Sequence, residues 1–296
     1  MQKTILTSLL LILFFSCTSA QKQNESNVQS EKHDLTSYLH KLDSIDVDIS
    51  NDTTLFEIGY QNLYFGKNER GNALIEYALA KRNTVAAEEY RHWSVQNTKN
   101  GDYGKAIELL EKSLKLEPRE VSAYYGWVAL YYYRDYERAL TILEQHDAYT
   151  PDFSDAPMGE DVHYLKGLAH MQLEHYQIAI DEFNMYINNL ASTHGEDFVD
   201  VYTFVQKGRC LDKLGEYNEA IKAYEKAIKY HENCTEAYYF MGLTQIKLNE
   251  KDNACNNLNK ASSIMKTGYK SSDNYVEYFH EIYPKQIELS ILEHCN

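Results

Sequence analysis

The chain has 296 residues, of which 25% are charged, and its formal net charge is −15 with a pI near 5.2. Binding to phosphate backbones depends on clustered lysine and arginine, so this acidity argues against a nucleic-acid partner and disfavours adsorption to anionic lipid. A neutral or basic partner is compatible with it. Tyrosine is unusually common, with 26 copies against 10 Phe and 2 Trp.

Residues 1–16 have the pattern of an export signal. Lys3 precedes an apolar run, Ile5–Phe15, which is shorter than the roughly 20 residues needed to span a bilayer. The run ends at Ser16-Cys17, which resembles the lipidation site of bacterial lipoproteins. The resemblance implies that Cys17 carries the lipid and becomes the first mature residue. The alternative is cleavage after Ala20, which would release a secreted periplasmic protein.

Residues 17–51 are predicted to form a flexible tether. Gln21–Asp34 is polar and has no aromatic or periodic apolar pattern, whereas Leu35–Leu42 has a weak helical one. A coil as long as Gln21–Asp34 spans roughly 20 Å, which would hold the rest of the chain clear of a membrane surface.

Beyond the tether, small residues recur at steps of 33 to 41 residues: Gly71, Ala106, Ala139, Ala179, Ala220 and Ala254. A second series of small residues precedes these, one in each repeat: Gly59, Ser94, Gly167, Gly208 and Gly242, with Val128 as the exception in the third repeat. A period near 34 residues with helix–turn–helix content is typical of tetratricopeptide (TPR) arrays. The chain resembles the TPR family at these positions, where small side chains let the two helices of a repeat approach closely.

The resemblance implies an all-α fold, a TPR helical-repeat solenoid of about six helix pairs over residues 52–268 with a capping helix within residues 269–296. The predicted repeats begin near Asp52, Ala87, Val121, Glu160, Val201 and Thr235. In the cap, Pro284 suits a helix start, and Leu289 and Leu292 are expected to face the last repeat.

Two insertions lengthen the spacing, Pro151–Gly159 and Asn188–Glu196. Turn-forming residues dominate both, so both are predicted to be loops. Such loops either help recognition or are tolerated at the surface.

The family resemblance also implies a binding surface, because certain places of each first helix line a concave groove in TPR arrays. Tyrosine suits contact surfaces, since it presents a rigid apolar ring with a polar tip. The predicted binding residues are Phe56, Tyr60, Tyr64, Arg91, Tyr125, Tyr132, Tyr133, Tyr164, Tyr202, Arg209 and Tyr239. The alternative is that some of these side chains contact neighbouring repeats or the cap.

Four cysteines remain if Cys17 is lipidated. Cys210 lies where TPR repeats usually carry a small buried residue, and Cys234 lies at a repeat boundary. Cys255 opens the last second helix and Cys295 closes the capping helix, an arrangement similar to that of small bacterial TPR proteins. We expect a Cys255–Cys295 disulfide if those helices run antiparallel. No pair has the close CxxC spacing of a zinc or redox site.

The sequence contains no dinucleotide, P-loop, zinc-protease or nucleophile-elbow motif, and its histidines are scattered. We therefore predict no catalytic residue, no metal ligand and no cofactor, and an enzyme is disfavoured.

Together these features predict a non-enzymatic protein-interaction scaffold of the bacterial cell envelope. It would be lipid-anchored, at the outer membrane or facing the periplasm, and would bind a peptide or partner protein in a tyrosine-rich groove. The alternative is a glycan-binding envelope lipoprotein, because aromatic faces also stack on sugar rings. TPR scaffolds serve many unrelated tasks, so the partner stays open.

Overall fold

The computed structural model describes residues 35–268, 272–273 and 275–295. The predicted signal segment, Cys17 and tether residues 17–34 lie outside the described residues. Within the described ranges the fold is all-α, with no strand. Residues 35–43 form α1, and the later helices are α2 (Asp52–Tyr64), α3 (Asn68–Leu79), α4 (Ala87–Lys99), α5 (Tyr103–Leu116), α6 (Pro118–Val128), α7 (Tyr136–Asp147), α8 (Val162–Gln172), α9 (Tyr176–Thr193), α10 (Val201–Lys213), α11 (Tyr217–Tyr230), α12 (Thr235–Lys247), α13 (Lys251–Lys266) and α14 (Pro284–His294).

The chain divides into two compact units, residues 1–117 and 118–296. In the N-terminal unit, α2 packs on α3 and α4 on α5. In the C-terminal unit, the pairs are α6–α7, α8–α9, α10–α11 and α12–α13. None of the helices in the described ranges is long and apolar enough to cross a membrane.

Helix α1 belongs to the folded part of the N-terminal unit, so the predicted tether, residues 17–51, is not flexible throughout. Leu42 is buried against the first hairpin, with Leu35, Tyr38 and Leu39 partly buried beside it. The Arg70 guanidinium lies 4.5 Å from the centre of the Tyr38 ring.

The helix boundaries follow local sequence signals. The side chains of Asn51, Asp102, Asp135, Asp161 and Asp200 accept hydrogen bonds from backbone N–H groups at the starts of α2, α5, α7, α8 and α10. Each hairpin turn uses a left-handed residue five places before its second-helix small residue. These residues are Gly66, Gly101, Arg134, Glu174, Gly215 and Asn249. The turn therefore keeps its conformation in the repeats that lack glycine.

Within five of the six hairpins of the described residues, a bulky side chain of the second helix occupies the space left by a glycine of the first. A Cβ added to Gly167 would lie 2.5 Å from the Phe183 ring. A Cβ added to Gly208 would lie 2.5 Å from the Tyr224 ring, and both rings are fully buried. Ile75 and Leu258 fill the same space in the first and last pairs. This contact fixes the register of one helix against the other.

The third pair departs from the predicted register. Its close-contact residue is Gly126, which faces Leu143, and not Val128 as expected. Gly126 and Ala139 are 13 positions apart in sequence, whereas the equivalent residues of the other pairs are 12 positions apart. The extra residue lies in a π-helical turn, Ala129–Tyr133, which lets α6 gain one residue without losing its packing.

The two insertions are structured differently from the prediction. The first contains the 3₁₀ turn Pro157–Gly159. The second is shorter than expected because α9 continues to Thr193, so residues 188–193 are helical. The 3₁₀ turn Glu196–Phe198 follows.

Helix α14 packs on α13 and α12. Cys255 and Cys295 form a disulfide with a Cα–Cα distance of 5.5 Å, while Cys210 and Cys234 are buried free thiols. The predicted inward face of α14 is wrong, because Leu289 and Leu292 are 53% and 65% exposed. Ile287 is the buried residue and packs in the cluster of Leu258 and Tyr239.

The close contact between the two helices of a hairpin predicts how a larger side chain at the glycine would change stability. Gly208→Ala should lower the free energy of unfolding by about 1–3 kcal/mol, because its Cβ would overlap the Tyr224 ring. Gly104→Ala is the matched control, since nothing lies within 4 Å of its added Cβ. It should raise stability by about 0.5–1 kcal/mol through its helix propensity. Urea unfolding measures both, and equal stability of the Gly208 variant and the natural chain would contradict the packing argument.

Candidate functional site

In the C-terminal unit, residues 275–283 lie against the first helices of the hairpins. We call these residues the C-terminal segment. We call the surface that they contact, formed by α6 with its π-helical end, α10 and α12, the first-helix face. The segment is non-helical, with a turn in which the Glu281 N–H donates to the Tyr278 carbonyl. Its start is ordered by Asp273, whose carboxylate accepts from the N–H groups of Tyr275 and Val276.

Two arginines of the unit hold the backbone of the C-terminal segment. Arg134 donates to the Glu277 carbonyl at 2.7 Å. Arg209, on α10, donates to the Phe279 carbonyl. Guanidinium groups are rigid, permanently charged donors, so both bonds recognise peptide backbone independently of its side chains.

The Phe279 ring lies among aromatic and cationic groups of the unit. Its centroid is 5.5 Å from that of Tyr131 and 6.1 Å from that of Tyr136. The Arg134 guanidinium lies 4.4 Å from the same centroid. These distances suit aromatic pairs and a cation–π contact. Phe279 is therefore held by its ring as well as by its carbonyl.

His280 is buried by stacking on Tyr202, with 3.7 Å between ring centroids and an angle of 5°. Burial, followed by the nearby Arg209 charge, lowers the pKa of His280 to about 3. The imidazole is therefore neutral at physiological pH, which suits a flat ring packed on another ring.

Aliphatic side chains complete the contact. Ile282 is buried in one cluster with Tyr239 of α12 and Ile287 of α14. Val276 is buried near the other end of the segment. The segment thus buries one aliphatic side chain near each of its two ends.

A half-buried carboxylate orders the aromatic groups at the end of α6. Glu160 accepts hydrogen bonds from Trp127 Nε1 at 2.7 Å and from the Tyr131 hydroxyl at 2.8 Å. Burial raises the pKa of Glu160, although the two hydrogen bonds oppose the change. Burial is also the main cause that raises the pKa of Tyr131 well above its ordinary value, so the phenol stays protonated as a donor.

The predicted binding residues of the C-terminal unit separate into three groups. Tyr202, Arg209 and Tyr239 contact the C-terminal segment or share a cluster with it. Tyr132 and Tyr133 lie half-buried in the π-helical turn.

Tyr125 and Tyr164 are corrections, because both side chains are buried within the unit. The hydroxyl of Tyr125 accepts from Arg138 of the neighbouring second helix, and the ring of Tyr164 lies 6.0 Å from Phe183. Tyr125 directly precedes Gly126, the close-contact residue of the third pair, and lies on the buried side of α6.

The predicted residues of the N-terminal unit are less exposed than expected, with one exception. Phe56 is buried, which corrects its assignment. Tyr60 is half-buried, 4.0 Å from the His92 ring, and its hydroxyl accepts from Gln96. Arg91 forms an ion pair with Glu88 on its own helix. Tyr64 is 67% exposed.

The residues that sequence reasoning missed are those of the segment and the surface beneath it: Trp127, Tyr131, Arg134, Glu160, Phe279 and His280. The aromatic run after α13 was the available signal. Its contacts with Arg134 join positions more than 140 residues apart in sequence.

A pocket of about 850 Å³ lies between the two insertions of the C-terminal unit. Its wall includes Glu144, Asp152 and His163, together with Phe153, which is 66% exposed. His163 bonds to Glu182, and this bond raises the pKa of the imidazole. The pocket is the alternative surface for a partner.

His280 makes stability depend on pH. Well above pH 6.5 the imidazole is neutral in both the folded and the unfolded chain. As the pH falls from 6.5 towards 3, the unfolded chain gains a proton that the folded chain does not, so stability is lost. At pH 5 the loss is roughly 2 kcal/mol.

His280→Gln should therefore reduce the stability difference between pH 7.5 and pH 5 by about that amount. His40→Gln, at an exposed site on α1, is the control. Urea unfolding at the two pH values measures the effect, and an unchanged difference in the His280 variant would refute the assignment.

Comparisons with known proteins agree with the helix-pair architecture. Tetratricopeptide-repeat models match residues 97–120, 201–234 and 235–264. A structure of MamA from Desulfovibrio magneticus RS-1, residue 41 to the end, has 17% identity and a TM-score of 0.52. It covers 61% of this chain and 96% of its own. A double mutant of MamA RS-1 has the same identity and TM-score, with 62% and 96% covered.

A search of curated proteins found no match. The solved structures show a shared fold and carry no information about a ligand. The repeat models match hairpins in both units, α4–α5 in part and α10 to α13 almost entirely. The chain carries tetratricopeptide repeats at these residues.

Proposed function

We propose that this TPR protein is a non-enzymatic protein-interaction scaffold of the bacterial cell envelope, anchored by lipid at Cys17. It binds a peptide segment of a partner protein on the first-helix face of its C-terminal unit. The observation that carries the proposal is that this face already binds a non-helical segment, residues 275–283, through arginine–carbonyl bonds and ring contacts.

The chemistry of the face favours a protein partner. Arg134 and Arg209 donate to main-chain carbonyls, which every peptide offers. Tyr131 packs against the Phe279 ring at an angle of 31°, and Tyr202 stacks face-to-face on His280. Tyrosine and arginine at the centre of a contact surface are the residue types that usually dominate affinity between proteins.

Site-specific crosslinking tests the surface. A photoreactive phenylalanine in place of Tyr132 should crosslink a partner protein in intact cells, because Tyr132 lies 5.8 Å from Trp127 at the edge of the first-helix face. The same group in place of Tyr77, a 38% exposed tyrosine on the second helix α3, is the matched control. A partner crosslinked only from Phe153 would move the site to the pocket between the insertions.

Metabolic labelling tests the anchor. A labelled fatty acid should enter the natural chain and should be absent from Cys17→Ala, which should also leave the membrane fraction. Cys210→Ala is the control, because that thiol is buried and free. A natural chain that never takes up the label would end the lipoprotein proposal and leave the scaffold proposal standing.

A further inference from the structure

The C-terminal segment reaches further than capping requires. The disulfide joins Cys255, near the start of α13, to Cys295, directly after α14, so the two helices run antiparallel. Helices packed in this way are usually joined by about 2–8 residues. Here residues 267–283 separate them, and the chain returns to Arg134 in the first hairpin of the unit before α14 begins.

Capping of the last hairpin is done by α14, to which the segment adds only Ile282 near its C-terminal end. Ile287 and Ile291 pack against the cluster of Leu258 and Ala261 on α13. The contacts of Glu277, Phe279 and His280, by contrast, are with Arg134, Tyr131 and Tyr202, which belong to earlier hairpins. The cap therefore does not account for the excursion.

We infer that residues 275–283 are an intramolecular peptide ligand of the first-helix face, and that the face takes partner peptides of the same pattern. This inference rests on the proposed function. The pattern is a large ring at the place of Phe279, a flat uncharged ring at the place of His280 and a β-branched aliphatic side chain at the place of Ile282. A partner peptide binds by displacing the segment.

The internal contacts of the segment support this assignment. Tyr278 N–H donates to the Glu281 carboxylate, and the Tyr283 hydroxyl donates to Glu277 at 2.5 Å. The segment thus holds part of its turn through its own side chains, which lowers the ordering cost on the face. Tethering at both ends also gives it an effective concentration of about millimolar order, so a free peptide competes poorly with it.

Fluorescence anisotropy with a labelled synthetic peptide of residues 275–283 tests the inference on the full chain. The natural chain should bind the peptide at least tenfold more weakly than the double variant Phe279→Ala/His280→Ala, whose own segment has lost its rings. Adding Tyr131→Ala and Tyr202→Ala to the double variant should remove the gain, since both rings contact the segment. A peptide in which Phe279 is alanine should bind at least tenfold more weakly than the natural peptide.

Equal binding to the natural chain and the double variant would overturn the inference, because the peptide would then occupy another surface. So would a double variant that keeps its helical spectrum and binds no peptide. If the double variant does not fold, hydrogen exchange of the natural chain tests the inference instead. Because a displaceable segment opens without global unfolding, the amides of residues 276–282 should exchange at least tenfold faster than those of α13. If they exchange only when the whole unit unfolds, the segment is part of the core and the inference is wrong.

The outcomes also separate the inference from the proposed function. A partner crosslinked at Tyr132 without peptide binding by the double variant would remove the internal ligand and leave the scaffold. Peptide binding without any crosslinked protein would support the internal ligand and count against a protein partner.

Discussion

The contact on which the rest of the structure depends is the one between a glycine of the first helix and a bulky side chain of the second, found in five of the six described hairpins. At Gly167 and Gly208 an aromatic ring occupies the space where a Cβ would lie. The two helix axes can then approach closely, and ridges and grooves have only one register that fits. That register therefore sets the direction in which each surface side chain of the first helices points.

The third hairpin shows how strict this constraint is. Its first helix carries one residue too many, and the chain accommodates it in a π-helical turn while Gly126 keeps its contact with Leu143. Tyr131 lies within this turn and contacts Glu160 and the Phe279 ring. The π-helical turn at the end of α6 thus supplies Tyr131 to the first-helix face.

Most of the fold was predictable, because it rests on local periodicity. Repeat starts at Asp52, Ala87, Val201 and Thr235 coincide with helix starts, since capping residues and small residues are read directly from the chain. Side-chain exposure was less predictable. Transferring family places by counting fails where the close-contact residue is not the counted one, as in the third hairpin at Tyr125. No local pattern reveals that residues 275–283 cover Tyr202 and Arg209, because those contacts join distant parts of the chain and depend on the packed structure.

The disulfide has a topological consequence. Cys255 and Cys295 are 40 residues apart, and the bond closes that stretch of chain into a covalent ring that contains the C-terminal segment. If the segment leaves the face, both of its ends remain attached to the covalent ring. It therefore stays close to the face and can rebind without diffusing away. A protease that cuts once between α13 and α14 would open the ring without releasing any mass. The segment would then be held at one end only, and the loop that returns it to the face would be lost.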